Sequence, residues 1–140
     1  MALVLVAVAV ISGLLLRPQG SSGCSGTARC FTGQVDRIVD GDTLYVAGKS
    51  IRLALVNTPE TTEPGYTEAT NFTATLCPVG STALVDEDDG QTQGSYGRMI
   101  AKVTCGGRNL NAELVSSGHA VVLVFFCNKS EFAHEPWTGC

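Results

Sequence analysis

The chain has 140 residues, which is enough for one ordinary domain and excludes two. Hydrophobic residues make up 44% of the chain and charged residues 16%, a composition that excludes a disordered tail and a coiled coil. The formal net charge of −4 excludes a broad basic face that would hold a polyanion, so any nucleic-acid chemistry here requires a few well-placed arginines.

An apolar leader, Met1–Leu16, opens the chain. As a helix it would be about 24 Å long, which is shorter than the roughly 30 Å hydrocarbon core of a bilayer and suits a signal peptide. No basic residue precedes it, and the following segment, Gly20–Gly26, is rich in glycine and serine. Residues 1–23 are therefore interpreted as a signal peptide or membrane anchor with a flexible linker. The protein is expected to be secreted, or membrane-anchored on the extracytoplasmic side.

Beyond the leader, β-rich runs separated by turn residues predict five strands, at Gln34–Val39, Thr43–Val46, Ser50–Val56, Ser81–Val85 and Tyr96–Thr104. Apolar residues at helical spacing predict two helices, at Tyr66–Cys77 and Asn109–Ser117. The segment Asn57–Glu60 is expected to begin a helix or turn, because it contains a polar capping residue followed by a proline and an acidic residue. The acidic run Asp86–Asp89 is expected to be a solvated loop, Ala120–Phe126 an apolar strand-like run, and the tail from Cys127 polar and irregular. This order predicts an α+β fold built on a small barrel.

The six cysteines indicate disulfides rather than a zinc site. No pair has C-x-x-C spacing, and only two histidines are present. An even number of cysteines behind an apolar leader is typical of proteins that mature in an oxidising compartment. Fifteen pairings are possible, and the simplest arrangement joins near neighbours in sequence, which gives Cys24–Cys30, Cys77–Cys105 and Cys127–Cys140.

Four short motifs stand out: D-G-D-T at 40–43, R-L-A-L-V-N-T-P-E at 52–60, Y-G-R at 96–98 and N-A-E-L-V at 111–115. Carboxylates at a strand-end turn can hold a hard cation through oxygen ligands. Arginines at strand positions can bind phosphate oxygens and stabilise the charge that develops on them. A glutamate beside them can orient or deprotonate a water molecule. The first three motifs therefore form a coherent set for phosphodiester chemistry.

In the order and spacing of these motifs, the chain from about Cys30 to Phe126 resembles the staphylococcal nuclease (thermonuclease) family. The resemblance implies a five-stranded oligonucleotide/oligosaccharide-binding (OB-fold) barrel with packed helices at residues 30–127, followed by a short Cys-terminated tail at 128–140. It also implies a Ca²⁺-dependent nuclease that hydrolyses DNA or RNA by attack of an activated water. The expected substrate is single-stranded or flexible, and no obligate protein partner is inferred.

The resemblance implies catalytic and substrate-binding roles for matching residues. Arg52 and Arg98 match the two arginines that contact the scissile phosphate, and Glu60 matches the carboxylate that activates the attacking water. Tyr96, which opens the Y-G-R motif, is expected to bind substrate together with these arginines.

A metal site is implied in the same way. Asp42 matches the metal-binding carboxylate of the D-G-D-T turn, Asp40 lies just outside the direct ligands, and Thr58 matches a position that offers a backbone carbonyl. Where the family has a second metal-binding aspartate, this chain has Asn57, which offers a neutral oxygen. Weaker Ca²⁺ binding is therefore expected.

Each of these residues also has an ordinary structural explanation, because turns, strand surfaces and helix starts commonly use aspartate, arginine and glutamate. Their joint order favours the nuclease interpretation. The alternative is a catalytically weakened module that binds nucleic acid or protein at the cell surface, which Asn57 and the acidic balance favour. A structural, disulfide-linked surface domain would explain the cysteines but leave the arginines without a role. The choices between DNA and RNA, and between endo and exo cleavage, stay open.

Overall fold

A computed structural model describes residues 23–140. The expected leader and anchor, Met1–Leu16, lie outside these residues. The strands are β1 Cys30–Asp40, β2 Thr43–Val46, β3 Lys49–Leu53, β4 Val56–Asn57, β5 Thr82–Glu87, β6 Met99–Cys105, β7 Arg108–Asn109 and β8 Val121–Val122. The two α-helices are α1 Tyr66–Leu76 and α2 Leu110–Ser116. Within the described part of the chain, no helix combines the length and the apolar character that a membrane span requires.

Five strands close into a barrel. Antiparallel pairing joins β1 to β2 and to β5, β2 to β3, and β5 to β6. Parallel pairing of β3 with β6 closes the barrel. The predicted α+β fold with a five-stranded OB-type barrel is therefore confirmed. Strand β7 extends the edge of β6, and β4 pairs with β8 in a separate two-stranded ribbon.

The core fills the barrel because alternate residues of each strand point inward. Strand β6 shows this most clearly, since Met99, Ala101, Val103 and Cys105 are buried and the residues between them are partly exposed. Helix α2 adds the fully buried side chains of Leu110 and Leu114. Burial of one such leucine contributes about 1.5–3 kcal/mol to folding. This core makes the barrel a firm support for the side chains on its outer surface.

The helices begin where local residues favour them. The side chain of Asn109 caps α2 by accepting a hydrogen bond from the backbone N–H of Ala112 at 3.1 Å. Helix α1 begins at Tyr66, close to the predicted boundary, and the proline and acid of Asn57–Glu60 enter a loop rather than a helix. The loop 58–65 therefore separates the second motif from α1.

The prediction of a solvated loop at Asp86–Asp89 is wrong. Strand β5 continues through Glu87, and Asp86, Glu87 and Asp88 are all buried. The cause is strand pairing: β1 begins at Cys30 rather than at Gln34, and Cys30 pairs with Asp86. The extended pairing carries the acidic segment into the sheet.

Backbone N–H groups from distant parts of the chain donate to the carboxylates of this segment, although the buried Oδ1 of Asp86 has no partner within the described residues. Thr27 and Ala28 each donate to the carboxylate of Asp89 at 2.8 Å. From the other end of the domain, the N–H of Glu131 donates to Asp88 at 3.0 Å. Hydrogen bonding offsets the cost of burying polar groups. The acidic segment thus anchors both the residues before β1 and the C-terminal tail.

Three further predictions need correction, two of them near the end of the chain. Within Ala120–Phe126 only Val121–Val122 is strand, and Val124–Phe126 forms a 3₁₀ turn with Phe125 76% exposed. The tail is not irregular, because two more 3₁₀ turns follow and Phe132 is completely buried. The strand predicted from Tyr96 begins only at Met99.

All six cysteines are paired. The structure joins Cys24 to Cys30, Cys77 to Cys105 and Cys127 to Cys140, with Cα–Cα distances of 6.1, 5.5 and 5.6 Å. These are the pairs that the simplest arrangement expects. The second bond connects the end of α1 to the end of β6, and the third folds the tail back on the residues after the Val124–Phe126 turn.

Candidate active site

The turn between β1 and β2 presents the buried carboxylate of Asp42. Its Oδ2 accepts a hydrogen bond from the backbone N–H of Thr58 at 3.0 Å and lies 3.2 Å from Nη2 of Arg52. Its Oδ1 accepts a hydrogen bond from the Thr43 hydroxyl at 3.1 Å. Both oxygens therefore have partners, and the carboxylate is held in one orientation.

A close approach of helix α1 fixes this turn. A Cβ atom at Gly41 would lie 2.7 Å from the Thr58 side chain and 2.9 Å from Ala69 Cβ, so only glycine fits there. The hydroxyl of Thr73 donates to the Gly41 carbonyl at 2.6 Å. The glycine of the D-G-D-T motif is therefore a packing requirement of the turn as well as a turn former.

Arg52 is the most constrained side chain of the site. It projects from β3, and its Nη1 donates to the carbonyl oxygens of Leu53 at 2.9 Å and Val56 at 2.7 Å. Its Nη2 donates to Oδ1 of Asn57 at 3.2 Å, in addition to its contact with Asp42. The side chain is only 14% exposed. The local fold thus fixes the guanidinium in one orientation, and four of its five N–H donors already have protein partners.

Burial and charge shape the acid–base properties of the site. Burial lowers the pKa of Arg52 below its usual value; the Asp42 charge opposes this shift, and the nearby charge of Arg98 adds to it. Burial, followed by the charge of Asp42, raises the pKa of Asp40 to about 6. The Asp42 N–H donates to Asp40 Oδ1 at 3.1 Å. The two carboxylates are therefore close neighbours that compete for positive charge.

Arg98 sits on a tight turn just before β6. Its Nε donates to the Ser95 carbonyl at 3.0 Å, and its Nη2 donates to the Ser95 hydroxyl at 3.1 Å. The turn has φ values of 50° at Tyr96 and 75° at Gly97, which is the left-handed geometry of a two-residue hairpin loop. The Tyr96 ring is 98% exposed, and its centroid is 5.9 Å from Cζ of Arg98.

The two arginines meet at one cavity of about 280 Å³. Its walls are mainly apolar and include Leu55, Leu123 and Phe126. Such walls limit the access of water and strengthen the electrostatic action of the guanidinium groups inside. Tyr96 does not line this cavity but a neighbouring one, which Arg98 also lines.

Glu60 lies on the exposed loop that follows the second motif. Its backbone N–H donates to the Glu63 side chain at 2.8 Å, and its carbonyl accepts from the Glu63 N–H, also at 2.8 Å. Its charge weakly opposes the burial that lowers the pKa of Arg52. Glu60 does not line the cavity that Arg52 and Arg98 share.

The oxygen atoms around the turn match a hard cation in kind. Asp40, Asp42, the amide of Asn57 and the carbonyl of Thr58 could supply oxygen ligands of the type that Ca²⁺ prefers. Burial is the main cause of the raised pKa of Asp40, and the charge of Asp42, which a bound cation would offset, is the second. Across residues 23–140, however, no three His, Cys, Asp or Glu side chains are arranged to hold a metal. These donors match Ca²⁺ in chemical kind, and two of them, Asp42 and Asn57, already share Arg52 as a partner.

The fourth motif contributes a positioning residue that the sequence did not assign. Asn111 is fully buried in α2, and its Nδ2 donates to the carbonyl oxygens of Ala54 at 2.9 Å and Ala101 at 3.2 Å. Its Oδ1 accepts from the Val103 N–H at 3.1 Å. It therefore holds the segment that follows Arg52 against β6. A polar residue directly after a buried leucine at the start of a helix is the signal that could have identified it.

Comparison with known proteins agrees with the family resemblance that the motifs indicate. The model of the family described as staphylococcal nuclease homologue matches residues 50–136, which is more than half of the chain. The chain is 36% identical over 98 residues to Endonuclease YncB of Bacillus subtilis (strain 168), covering 63% of the chain and 46% of that protein. It is 31% identical over 107 residues to Endonuclease YhcR of the same strain, covering 64% of the chain and 9% of that protein.

An uncharacterized protein of Bacillus anthracis is 33% identical over 104 residues, covering 67% of the chain and 48% of that protein. The chain thus spans less than half the length of each of these three relatives. The match of the family model extends from β3 through α2 into the tail, so it includes Arg52, Glu60 and Arg98. By its motifs, its barrel and this match, the chain belongs to the staphylococcal nuclease homologue family.

Proposed function

We propose that this protein is an exported Ca²⁺-dependent nuclease that hydrolyses phosphodiester bonds of DNA or RNA by attack of an activated water. The observation that carries the proposal is the preorganised guanidinium of Arg52, which shares a cavity with Arg98. Two fixed positive groups at one cavity suit a phosphate that gains negative charge during reaction. The endonuclease names of two relatives support the same reaction class.

The chemistry follows from the positions of the three residues. Arg52 and Arg98 would bind the scissile phosphate and stabilise the extra charge on its non-bridging oxygens as water attacks phosphorus. Glu60 would accept a proton from the attacking water, since its carboxylate is exposed to solvent and its charge acts on Arg52. The phosphorus–oxygen bond to the leaving sugar hydroxyl then breaks, and that oxygen takes a proton from solvent.

The oxygen donors of Asp42, Asp40, Asn57 and Thr58 are the proposed holders of Ca²⁺. When bound, the ion would supply positive charge beside the phosphate and act as a Lewis acid. The backbone N–H of Thr58 and the hydroxyl of Thr43 keep the Asp42 carboxylate oriented for this task. Because Asn57 is neutral, the ion is expected to bind more weakly than at a site with three carboxylates.

Export is supported by the three disulfides, because such bonds persist in oxidising compartments. Met1–Leu16 is the proposed signal peptide or tether. The substrate is proposed to be single-stranded or flexible, since a compact cavity of about 280 Å³ with two arginines gives a splayed phosphate better access than a rigid duplex.

One observation favours a second candidate, a catalytically weakened binding module. Nη2 of Arg52 contacts both Asn57 and Asp42, so two of the proposed ligands already have a partner that competes with a metal ion. In such a module the arginines would hold phosphate without turnover.

A cleavage assay separates these functions. Purified, oxidised protein is incubated with single-stranded DNA and with single-stranded RNA, in Ca²⁺ and in a chelator. The nuclease predicts Ca²⁺-dependent fragments that disappear in the chelator. Intact substrate that nevertheless binds the protein would establish the binding module, and cleavage unaffected by the chelator would reject the role of Ca²⁺.

A further inference from the structure

A continuous groove extends across the barrel surface beyond the candidate active site. Two adjoining cavities of about 490 and 390 Å³ share four lining residues, Tyr45, Ser50, Gly97 and Arg98. We call their combined surface the outer groove. Because Arg98 also lines the cavity that contains Arg52, the outer groove begins where the candidate active site ends.

Strand register places the outer groove next to the site. Arg37, Tyr45 and Ser50 are direct neighbours across β1, β2 and β3. Thr43 and Arg52 form the next pair on the same face, since residues two apart on a strand point to the same side. Two residues of a strand span about 7 Å. A chain bound at Arg52 therefore needs only a short step to reach the row of Arg37 and Tyr45.

The outer groove carries a local positive charge on an acidic protein. Its lining includes four basic residues and two acidic ones, Arg29, Arg37, Lys49, Arg98, Asp40 and Glu87. The chain as a whole has a net charge of −4. Five of its nine lysines and arginines thus lie in this groove or, as Arg52 does, at the adjoining cavity. Arg29 forms an ion pair with Glu87 at 3.2 Å, so the positive charge of the groove comes mainly from Arg37, Lys49 and Arg98. These three residues provide a focused basic surface of the kind that a polyanion requires.

An aromatic ring lies between the basic groups. The Arg37 guanidinium stacks over the Tyr45 ring with Cζ 4.6 Å from the centroid, and Lys49 is exposed at the hairpin tip between β2 and β3. Single-stranded nucleic acids bind grooves that combine positive charge with aromatic rings on which bases stack. The face of the second and third strands is also where OB-folds bind oligonucleotides.

We propose that the outer groove binds single-stranded nucleic acid on one side of the scissile phosphate. Arg37 and Lys49 contact phosphates, and a base stacks on the face of the Tyr45 ring that Arg37 does not cover. The continuity of this strand with the cleaved bond rests on the proposed nuclease function. A double helix cannot use Tyr45 in this way, because its bases are already stacked and paired.

The test combines binding and cleavage in the full-length protein. Binding of a fluorescent oligothymidylate of a dozen nucleotides is measured in the Glu60→Gln background as salt is raised. The Arg37→Ala Lys49→Ala variant is expected to bind roughly tenfold or more weakly and to lower the logarithmic salt slope by about 1.4, since each lost phosphate contact contributes about 0.7. Arg108→Ala is the control, because this exposed arginine lies outside the groove.

A cleavage assay distinguishes a failure of the outer-groove proposal from a failure of the proposed nuclease function. With Glu60 intact, the double variant is expected to lose much more kcat/KM on the dodecamer than on a dinucleotide, mainly through KM. Equal losses of kcat/KM on both substrates, or rates equal to those of Arg108→Ala, would contradict the proposed role of the outer groove. The proposed nuclease function would be unaffected by either result. If the wild type cleaves neither substrate but binding still depends on Arg37 and Lys49, the nuclease proposal fails and the groove stands. A wild type that does not bind the oligonucleotide at low salt would overturn the groove.

Discussion

The guanidinium of Arg52 lies 3.2 Å from the carboxylate of Asp42, and this ion pair joins β3 to the turn between β1 and β2. The same guanidinium also holds the carbonyl oxygens of Leu53 and Val56. Arg52 is thus at once a proposed phosphate ligand and a structural tie. It cannot be removed without leaving four oxygen atoms short of a donor, so its loss is expected to affect folding as well as activity.

Arg52→Ala is therefore expected to lower the free energy of unfolding by roughly 3 kcal/mol, because it leaves Asp42 a buried, unpaired charge. Urea denaturation measures this directly. The matched variant Arg108→Ala removes an exposed arginine and is expected to leave stability nearly unchanged. Equal stability of the wild type and Arg52→Ala would show that the hydrogen bonds of Arg52 contribute nothing to the fold.

Asn57→Asp is expected to tighten Ca²⁺ binding, because a charged oxygen replaces a neutral one beside Asp42. The new carboxylate would keep the contact that Asn57 Oδ1 makes with Arg52. Calorimetric titration of wild type and variant with Ca²⁺ gives the two affinities. Asn71→Asp, at an exposed position on α1, is the control for added charge alone. An unchanged or weaker affinity in Asn57→Asp would mean that this side chain does not face the ion.

Acid is expected to loosen the residues before β1. The backbone N–H groups of Ala28 and Thr27 hold the pKa of Asp89 below its usual value. A lowered carboxyl pKa contributes stability that is present above the unfolded-state value, near 3.8, and is lost as pH falls through the folded-state value. Asp89→Asn should therefore destabilise the protein at neutral pH and matter progressively less below about pH 4.

Urea denaturation of wild type and Asp89→Asn at several pH values tests this sign. Asp86 provides a comparison, because burial raises its pKa and its ionised form therefore lowers the stability of the folded state. Asp86→Asn should be better tolerated at neutral pH than Asp89→Asn. A stability difference between wild type and Asp89→Asn that does not change with pH would contradict the role given to the Asp89 charge.

The Cys77–Cys105 disulfide joins the end of α1 to the end of β6 across 28 residues of sequence. Replacing both cysteines by serine is expected to lower the free energy of unfolding by about 3–4 kcal/mol, as closure of a loop of this length predicts. Non-reducing peptide mapping checks the pairing first. A peptide with Cys77 linked to any peptide other than that of Cys105 would contradict the structure.

The sequence predicted the barrel well because its strands are marked locally. The D-G-D-T turn, the hairpin tip before Lys49 and the glycine pair after Cys105 separate β-rich runs, and each separation is visible within a few residues. The two helices likewise follow from local spacing of apolar residues. Arg52 contacts both Asp42 and Asn57, two contacts that the motifs did not predict.

What the sequence could not predict depends on partners far along the chain. The acidic segment Asp86–Asp89 is held in place by hydrogen-bond donors from residues 25–29 and from Glu131, which no local pattern reveals. The apolar run Ala120–Phe126 has the composition of a buried strand, yet the Cys127–Cys140 bond brings the tail back beside it, and Phe132 takes the buried position instead.

The rate of hydrolysis by Glu60→Gln, measured in Ca²⁺ under single-turnover conditions, tests the proposed mechanism most directly. Glu60 is exposed, so the substitution should leave the free energy of unfolding within about 0.5 kcal/mol of the wild type. Loss of the proton acceptor should lower the rate roughly 100-fold or more, while the control Glu68→Gln, on the exposed face of α1, keeps the wild-type rate. A folded Glu60→Gln protein that cleaves as fast as the wild type would contradict water activation by this carboxylate.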